Sequence, residues 1–192
     1  MKPIYSTIGV VGTGAMGRGI AQIAAQAGST VKLYDTQAPA ITQAIDSLSA
    51  QWTKLAEKGK LTSEQVQANV SRLQGVHSLQ DLADCQFVIE AIVERLDVIQ
   101  SLFGELEGIV ASDAVLATNT SSLSVTAIAA KLKHPERFAG YHFFNPVPLM
   151  KVVEVIAGLK TNSAVCADLA SYAKQMGHTP VQASDTPGFI VN

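Results

Sequence analysis

Proton transfer near neutral pH calls for an imidazole, and the chain carries four. His77, His134 and His178 stand in polar, turn-like contexts and read as surface residues. His142 differs. It follows an apolar run and opens the segment His142-Phe143-Phe144-Asn145-Pro146-Val147-Pro148. The aromatic residues exclude water and the prolines stiffen the loop, which suits a general base whose ordinary pKa lies near neutrality. A base also needs a group to orient it and to balance the charge it gains. The candidate is Glu154, set inside Lys151-Val152-Val153-Glu154-Val155-Ile156. A carboxylate in such a run is costly unless paired. Two readings stay open for it: strand alternation turns it to solvent, or it is buried against a histidine. Thr118-Asn119-Thr120-Ser121-Ser122 follows another apolar run, and Ser121 suits donation of a hydrogen bond to a substrate oxygen. Helix capping by Ser122 or Ser124 competes with that reading. No G-x-S-x-G elbow marks a nucleophilic serine.

A second constellation binds rather than reacts. Gly12-Thr13-Gly14-Ala15-Met16-Gly17 stands directly behind the apolar run Ile8-Gly9-Val10-Val11, and Asp35 ends the next apolar run. This is the G-x-G-x-x-G dinucleotide fingerprint with strand, helix and ribose-binding acid in place. Gly12 permits the tight turn, Gly14 admits a pyrophosphate, and Gly17 lets helix and strand pack closely. The helix N-terminus offers uncapped N–H groups to the phosphates. Asp35 selects the cofactor. A 2′-phosphate about 4 Å from it would be repelled by roughly 4 kcal/mol at an effective dielectric of about 20. Thr36 and Gln37 supply no compensating arginine, so NAD is favoured over NADP. Oxidising an alcohol with such a cofactor requires a base for the hydroxyl proton, the part His142 could take.

These residues need a scaffold, and the spacing of apolar runs predicts one. Strands are expected at Ile8–Val11, Thr30–Asp35, Phe87–Ile92, Ala114–Thr118, Phe138–Phe143, Val152–Ala157 and Thr179–Ala183, with helices at Ala15–Ala27, 97–110 and 162–176. Runs that are apolar almost throughout suit strands buried on both faces, and their alternation with helices predicts an α/β, Rossmann-type, doubly wound and mostly parallel sheet. In such a sheet, ligands sit beyond the carboxyl ends of the strands, where His142 and the Asn119–Ser122 segment would lie. Residues 39–74 break the rhythm. Their apolar positions recur at three and four, Gly59 interrupts them and Thr62 offers an N-cap, so a helical hairpin is expected there. Its turn carries Lys54, Lys58 and Lys60: either a solvated helix end or a contact for a phosphorylated substrate tail.

The formal net charge of −2 and the absence of like-charge runs exclude a nucleic-acid partner. No apolar stretch reaches membrane-spanning length. The first strand starts so close to Met1 that no leader is expected, and Cys85 and Cys166, far apart and outside any C-x-x-C motif, read as buried thiols of a reducing, cytoplasmic compartment. No metal site is expected.

Taken together, Gly12–Gly17, Glu90-Ala91-Ile92-Val93-Glu94, Asn119-Thr120-Ser121-Ser122-Leu123, His142-Phe143-Phe144-Asn145-Pro146 and Asp185-Thr186-Pro187-Gly188-Phe189 resemble the NAD-binding domain of the 3-hydroxyacyl-CoA dehydrogenases. The likeness spans residues 1–192, and five motifs in order make it specific. It implies oxidation of an (S)-3-hydroxyacyl-CoA by NAD in fatty-acid or related acyl-CoA catabolism. It gives His142 the role of base, Glu154 that of its partner, and Ser121 and Asn192 that of donors to the substrate oxygen. Glu94, Asn119 and Asn145 would line the cofactor site, and Lys54, Lys58 or Lys60 would meet the CoA nucleotide. Where many relatives carry a lysine beyond the second glutamate, Ile99 and Gln100 stand here. Family members continue into a helical domain that supplies a homodimer interface and much of the acyl pocket. The chain is therefore expected to be one part of such an enzyme, binding NAD with little turnover alone. Two rivals share the scaffold. A crystallin-like structural module would not need His142, Glu154 and Ser121, and a β-hydroxyacid or imine-reducing dehydrogenase lacks His-Phe-Phe-Asn-Pro.

Overall fold

Apolar side chains alternate along each central strand, yet both alternating sets are buried, because helices cover both faces of one sheet. The computed structural model describes residues 2–186. The elements run β1 (Thr7–Val11), α1 (Ala15–Gln26), β2 (Thr30–Tyr34), α2 (Ala38–Glu57), α3 (Ser63–Arg72), β3 (Leu73–Gly75), β4 (Phe87–Glu90), α4 (Leu96–Ile109), β5 (Val115–Thr118), α5 (Val125–Ala129), β6 (Phe138–Phe143), β7 (Val152–Ala157), α6 (Ser163–Gln175) and β8 (Thr179–Ser184). The sheet order is β3-β2-β1-β4-β5-β6-β7-β8. On β4, Phe87 and Ile89 enter one core with Ile8, Val10, Ile20, Trp52, Tyr141 and Leu169. Val88, between them, enters the other with Val11, Phe103, Leu106, Leu116 and Phe138. This double burial is why those runs carry no polar alternation.

All pairings are parallel except β6 with β7. Residues 144–151 between them are too few for a crossover helix, so the chain must return antiparallel. That reversal puts His142 directly opposite Glu154. The hairpin forms as expected. Thr62 Oγ1 accepts from the Gln65 amide at 3.1 Å, and the Gln65 side chain accepts from the Thr62 amide at 2.8 Å. Helix α2 buries Ile41, Ala44, Leu48 and Trp52 against the sheet, whereas α3 buries only Asn69. The hairpin occupies the crossover between β2 and β3. The short edge strand β3 has no counterpart among the expected elements, since three residues carry too little pattern to be read.

Asp185 joins the last described segment to α5. Its carboxylate accepts from the Val125 and Thr126 amides at 2.9 and 2.7 Å and from the Ser124 hydroxyl at 2.9 Å. Ser124 itself caps α5 by accepting from Ala127 at 3.1 Å. The capping role weighed for this serine cluster thus falls to Ser124.

Candidate active site

The fingerprint does the mechanical work that its spacing implies. Gly12 has φ +99°, a conformation costly for any side chain. A Cβ at Gly17 would overlap the Gly12 carbonyl oxygen. At Gly14, by contrast, an added Cβ meets nothing within 4 Å. The protein's own packing does not demand that glycine, and the open space beside it would admit a close-lying ligand. Gly14 also N-caps α1 without a side-chain bond, leaving first-turn amides facing the same space. These features fit a dinucleotide pyrophosphate.

Asp35 is tied to the same loop. Its Oδ2 accepts from the Thr13 amide at 2.9 Å and hydroxyl at 3.0 Å, and its Oδ1 from the Gln37 amide at 2.9 Å. A cleft of about 530 Å³ opens beside it, lined by Gly12, Asp35, Ile92, Asp97, Leu102 and Glu105 among others. Three carboxylates around a nucleoside-sized cleft oppose an additional phosphate there.

A second cleft, of about 330 Å³, lies beyond the ends of β4, β5 and β6. It is lined by Met16, Glu90, Ala91, Ile92, Glu94, Asn119, Ser121, His142, Phe143, Phe144 and Asn145. Residues far apart in the chain thus meet in one place. His142 Nδ1 lies 2.9 Å from Glu154 Oε1, and both residues are buried. Of the two readings of Glu154, burial against the histidine is the one realised, because β7 is covered on both faces. The Phe144 ring rests on the imidazole at a centroid distance of 4.5 Å. Glu94 accepts from Thr120 Oγ1 at 2.6 Å and from the Ser121 amide and hydroxyl at 2.8 and 3.3 Å, so it organises the loop after β5. Asn119 accepts from the Phe143 amide at 2.9 Å, pinning the end of β6 beside His142. Ala15 and Asn145 also line a neighbouring cleft with Arg18, Gln22, Gln51 and Leu149.

Other expectations fare differently. Lys54, Lys58 and Lys60 are exposed at the end of α2 and in its turn, outside both clefts. Lys54 lies one helical turn beyond Gln51. Asn192 lies outside the described residues. Ile99 is buried in the core and Gln100 donates to the Ala127 carbonyl at 2.8 Å, so neither brings a cation to the cofactor. Cys85 and Cys166 are buried free thiols, and burial raises the pKa of each. Among the described residues no helix is long and apolar enough to cross a membrane.

One correction and one omission concern titratable groups. His77 and His134 are exposed, as expected, but His178 is buried. Gly177, with φ +82°, ends α6, and the His178 amide donates to the Ala173 carbonyl at 2.9 Å. This is a Schellman turn, whose residue after the glycine points inward, and Met176-Gly177 was the signal for it. Glu90, the first residue of the Glu90–Glu94 motif, has an environment that its sequence neighbours do not announce. It is 1% exposed, at the carboxyl end of β4. It accepts from the Thr118 hydroxyl at 2.5 Å and from the Ile92 amide at 2.8 Å. Burial nevertheless lifts its pKa from the ordinary 4.5 to about 7, against those two donors and with a contribution from Glu94.

A dinucleotide cradle at one end of the sheet, with a buried imidazole–carboxylate pair beside the adjoining cleft, fits the nucleotide-binding domain of a dehydrogenase. The comparisons with known proteins agree. Residues 7–186 match the family described as 3-hydroxyacyl-CoA dehydrogenase, NAD binding domain, and the chain belongs to that family. It is 47% identical over 186 residues to the 3-hydroxyadipyl-CoA dehydrogenase of Escherichia coli (strain K12), covering 97% of this chain and 39% of that protein. It is 42% identical to the probable 3-hydroxybutyryl-CoA dehydrogenase of Bacillus subtilis (strain 168), covering 95% of this chain and 64% of that one. Among solved structures, 3-hydroxybutyryl-CoA dehydrogenase from Escherichia coli K12 superposes with a TM-score of 0.96 at 46% identity, covering 97% and 40%. The (S)-3-hydroxybutyryl-CoA dehydrogenase from Ralstonia eutropha gives 0.94 at 38%, covering 98% and 66%. The chain thus spans between about two-fifths and two-thirds of these relatives. NAD is the cofactor of this domain family.

Proposed function

We propose that the protein oxidises an (S)-3-hydroxyacyl-CoA to the 3-oxoacyl-CoA. The observation that carries this reading is the buried His142–Glu154 pair facing the cleft that Glu94, Asn119, Ser121 and Asn145 share. NAD, held by Gly12–Gly17 and Asp35 with Glu94, Asn119 and Asn145 at the inner end, supplies the hydride acceptor. His142 takes the substrate's hydroxyl proton on Nε2, since Nδ1 is directed at Glu154. Glu154 fixes the ring orientation and balances the imidazolium as it forms. Ser121, its hydroxyl turned from Glu94, and Asn192 donate to the substrate oxygen, and Phe144 limits water at the imidazole.

The cleft containing Arg18 and Gln51 shares Asn145 with the catalytic one, and α2 continues from Gln51 to Lys54. That continuity supports a path for the CoA arm towards Lys54, Lys58 and Lys60. A helical domain of the kind the resemblance implies would complete the acyl pocket and form a homodimer interface. The two buried free thiols suit a reducing, cytoplasmic setting. Residues 1–192 alone are then expected to bind NAD and turn over little. The test is reduction of acetoacetyl-CoA by NADH in the protein at its natural full length. His142→Gln should lower kcat by about 10²–10⁴-fold with NAD binding retained. Unchanged kinetics would refute the assignment.

A further inference from the structure

The loop between β6 and β7, residues 144–151, carries Phe144 and Asn145 over His142 and then turns away from the site. Its course is decided by a few contacts. The Pro146 carbonyl accepts from the Leu149 and Met150 amides at 3.0 and 2.9 Å, and the Lys151 carbonyl from the Thr179 amide at 2.6 Å. Val147 is buried and seated on Gly19 of α1, where an added Cβ would come within 2.8 Å of the valine Cβ. A further tie comes from the connection between α6 and β8. His178 Nε2 lies 3.0 Å from the Val147 carbonyl oxygen, and its ring packs on Phe143 at a centroid distance of 5.6 Å.

The carbonyl can only accept, so Nε2 carries the hydrogen. Nδ1 is buried and has no hydrogen-bond partner among the described residues. A histidine is an expensive way to fill an apolar position at a helix end, where packing alone would favour an aliphatic residue. What it adds is a donor reaching the loop from the α6–β8 connection. We infer that His178 is a positioning residue of the dehydrogenase site. By holding the Val147 carbonyl, it keeps residues 144–147 clamped between α1 and β8, and thereby sets Phe144 and Asn145 against His142 and the nicotinamide end of the cofactor.

The role assigned to the loop rests on the proposed reaction, but its cofactor arm does not, because NAD binding is read without turnover. In the protein at its natural full length, His178→Met keeps the volume and removes the donor. It should weaken NAD binding about tenfold, the order expected on losing a buried hydrogen bond, and lower kcat further. His178→Gln, with an amide donor in place of Nε2, should stay within about twofold of the parent in both. Leu169→Ala, a cavity in α6 that leaves the His178–Val147 hydrogen bond in place, should lower the melting temperature while leaving the NAD Kd unchanged. Parental Kd and kcat in folded His178→Met would overturn the inference, as would equal impairment in His178→Gln. If His178→Met does not fold, the parent decides by NMR. The His178 Nε2–H resonance should shift on NAD titration, and a resonance that NAD leaves unmoved would refute the coupling. Loss of turnover dependence on His142 with this pattern intact would count against the reaction alone.

Discussion

Glu90 should make the domain less stable as the pH rises, and replacing it by glutamine should reverse that trend. In the unfolded chain its carboxyl titrates near 4.5, whereas burial at the end of β4 raises it to about 7. Between those values the native state holds a proton that the unfolded state has released. Unfolding stability therefore falls with pH across this window and levels off above it. At 1.36 kcal/mol per pKa unit, a separation of about 2.5 units amounts to roughly 3 kcal/mol. The neutral isostere Glu90→Gln removes the titration. It can accept from the Ile92 amide while its own amide donates to the Thr118 hydroxyl, a rearrangement costing about 1 kcal/mol. The variant should then be slightly less stable than the parent near pH 5. Near pH 8 it should be more stable by about 2 kcal/mol, the difference between the two estimates. Urea unfolding of both proteins from pH 4.5 to 8.5 measures this directly, because contributions of other titrating groups cancel in the difference. A stability difference independent of pH would refute the reasoning.

The glycine loop separates packing from binding. Gly14→Ala should leave the melting temperature unchanged but weaken NAD binding tenfold or more, about 1.4 kcal/mol, because its Cβ fills ligand space only. Gly17→Ala should lower both, since its Cβ collides with the Gly12 carbonyl; calorimetry with NAD titration distinguishes the two. Asp35→Ser should shift the NAD/NADP preference by at least about tenfold towards NADP, with full reversal prevented by Asp97 and Glu105; Kd values for both cofactors give the result. Charge reversal of Lys54, Lys58 and Lys60 should raise KM for acyl-CoA about tenfold while sparing a thioester that lacks the nucleotide, and an equal effect on both would remove the lysines from the CoA path.

Much of this arrangement was legible in the chain itself. The fingerprint and Asp35 could be read because Gly12, with φ +99°, and Gly17, whose Cβ would overlap the Gly12 carbonyl, answer to the geometry of the turn itself, and because Asp35 ends the next apolar run. The central strands could be read because burial on both faces removes polar residues from them, and the hairpin because Thr62 and Gln65 form a box within one helical turn. Local pattern stopped short elsewhere. Strand alternation left Glu154 undecided, since exposure depends on whether a neighbouring layer covers that face. His178 was misread because polar neighbours in sequence are not its neighbours in space, and Glu90 passed as one letter of a motif because its altered acidity arises from desolvation.

Residue types and spacing thus marked out the dinucleotide cradle, the preference for NAD and the alternating α/β order, and singled out His142 as the candidate base. Only the tertiary structure decided which groups meet it. The short return from β6 to β7 forces antiparallel pairing, which sets Glu154 opposite His142. The sheet order brings the ends of β4, β5 and β6 together, so that Glu94, Ser121 and Asn119 share one cleft. Packing around α6 turns His178 inward onto the loop. Each of these outcomes depends on contacts across long stretches of chain, where burial and charge are properties of the assembled layers and no single segment carries them.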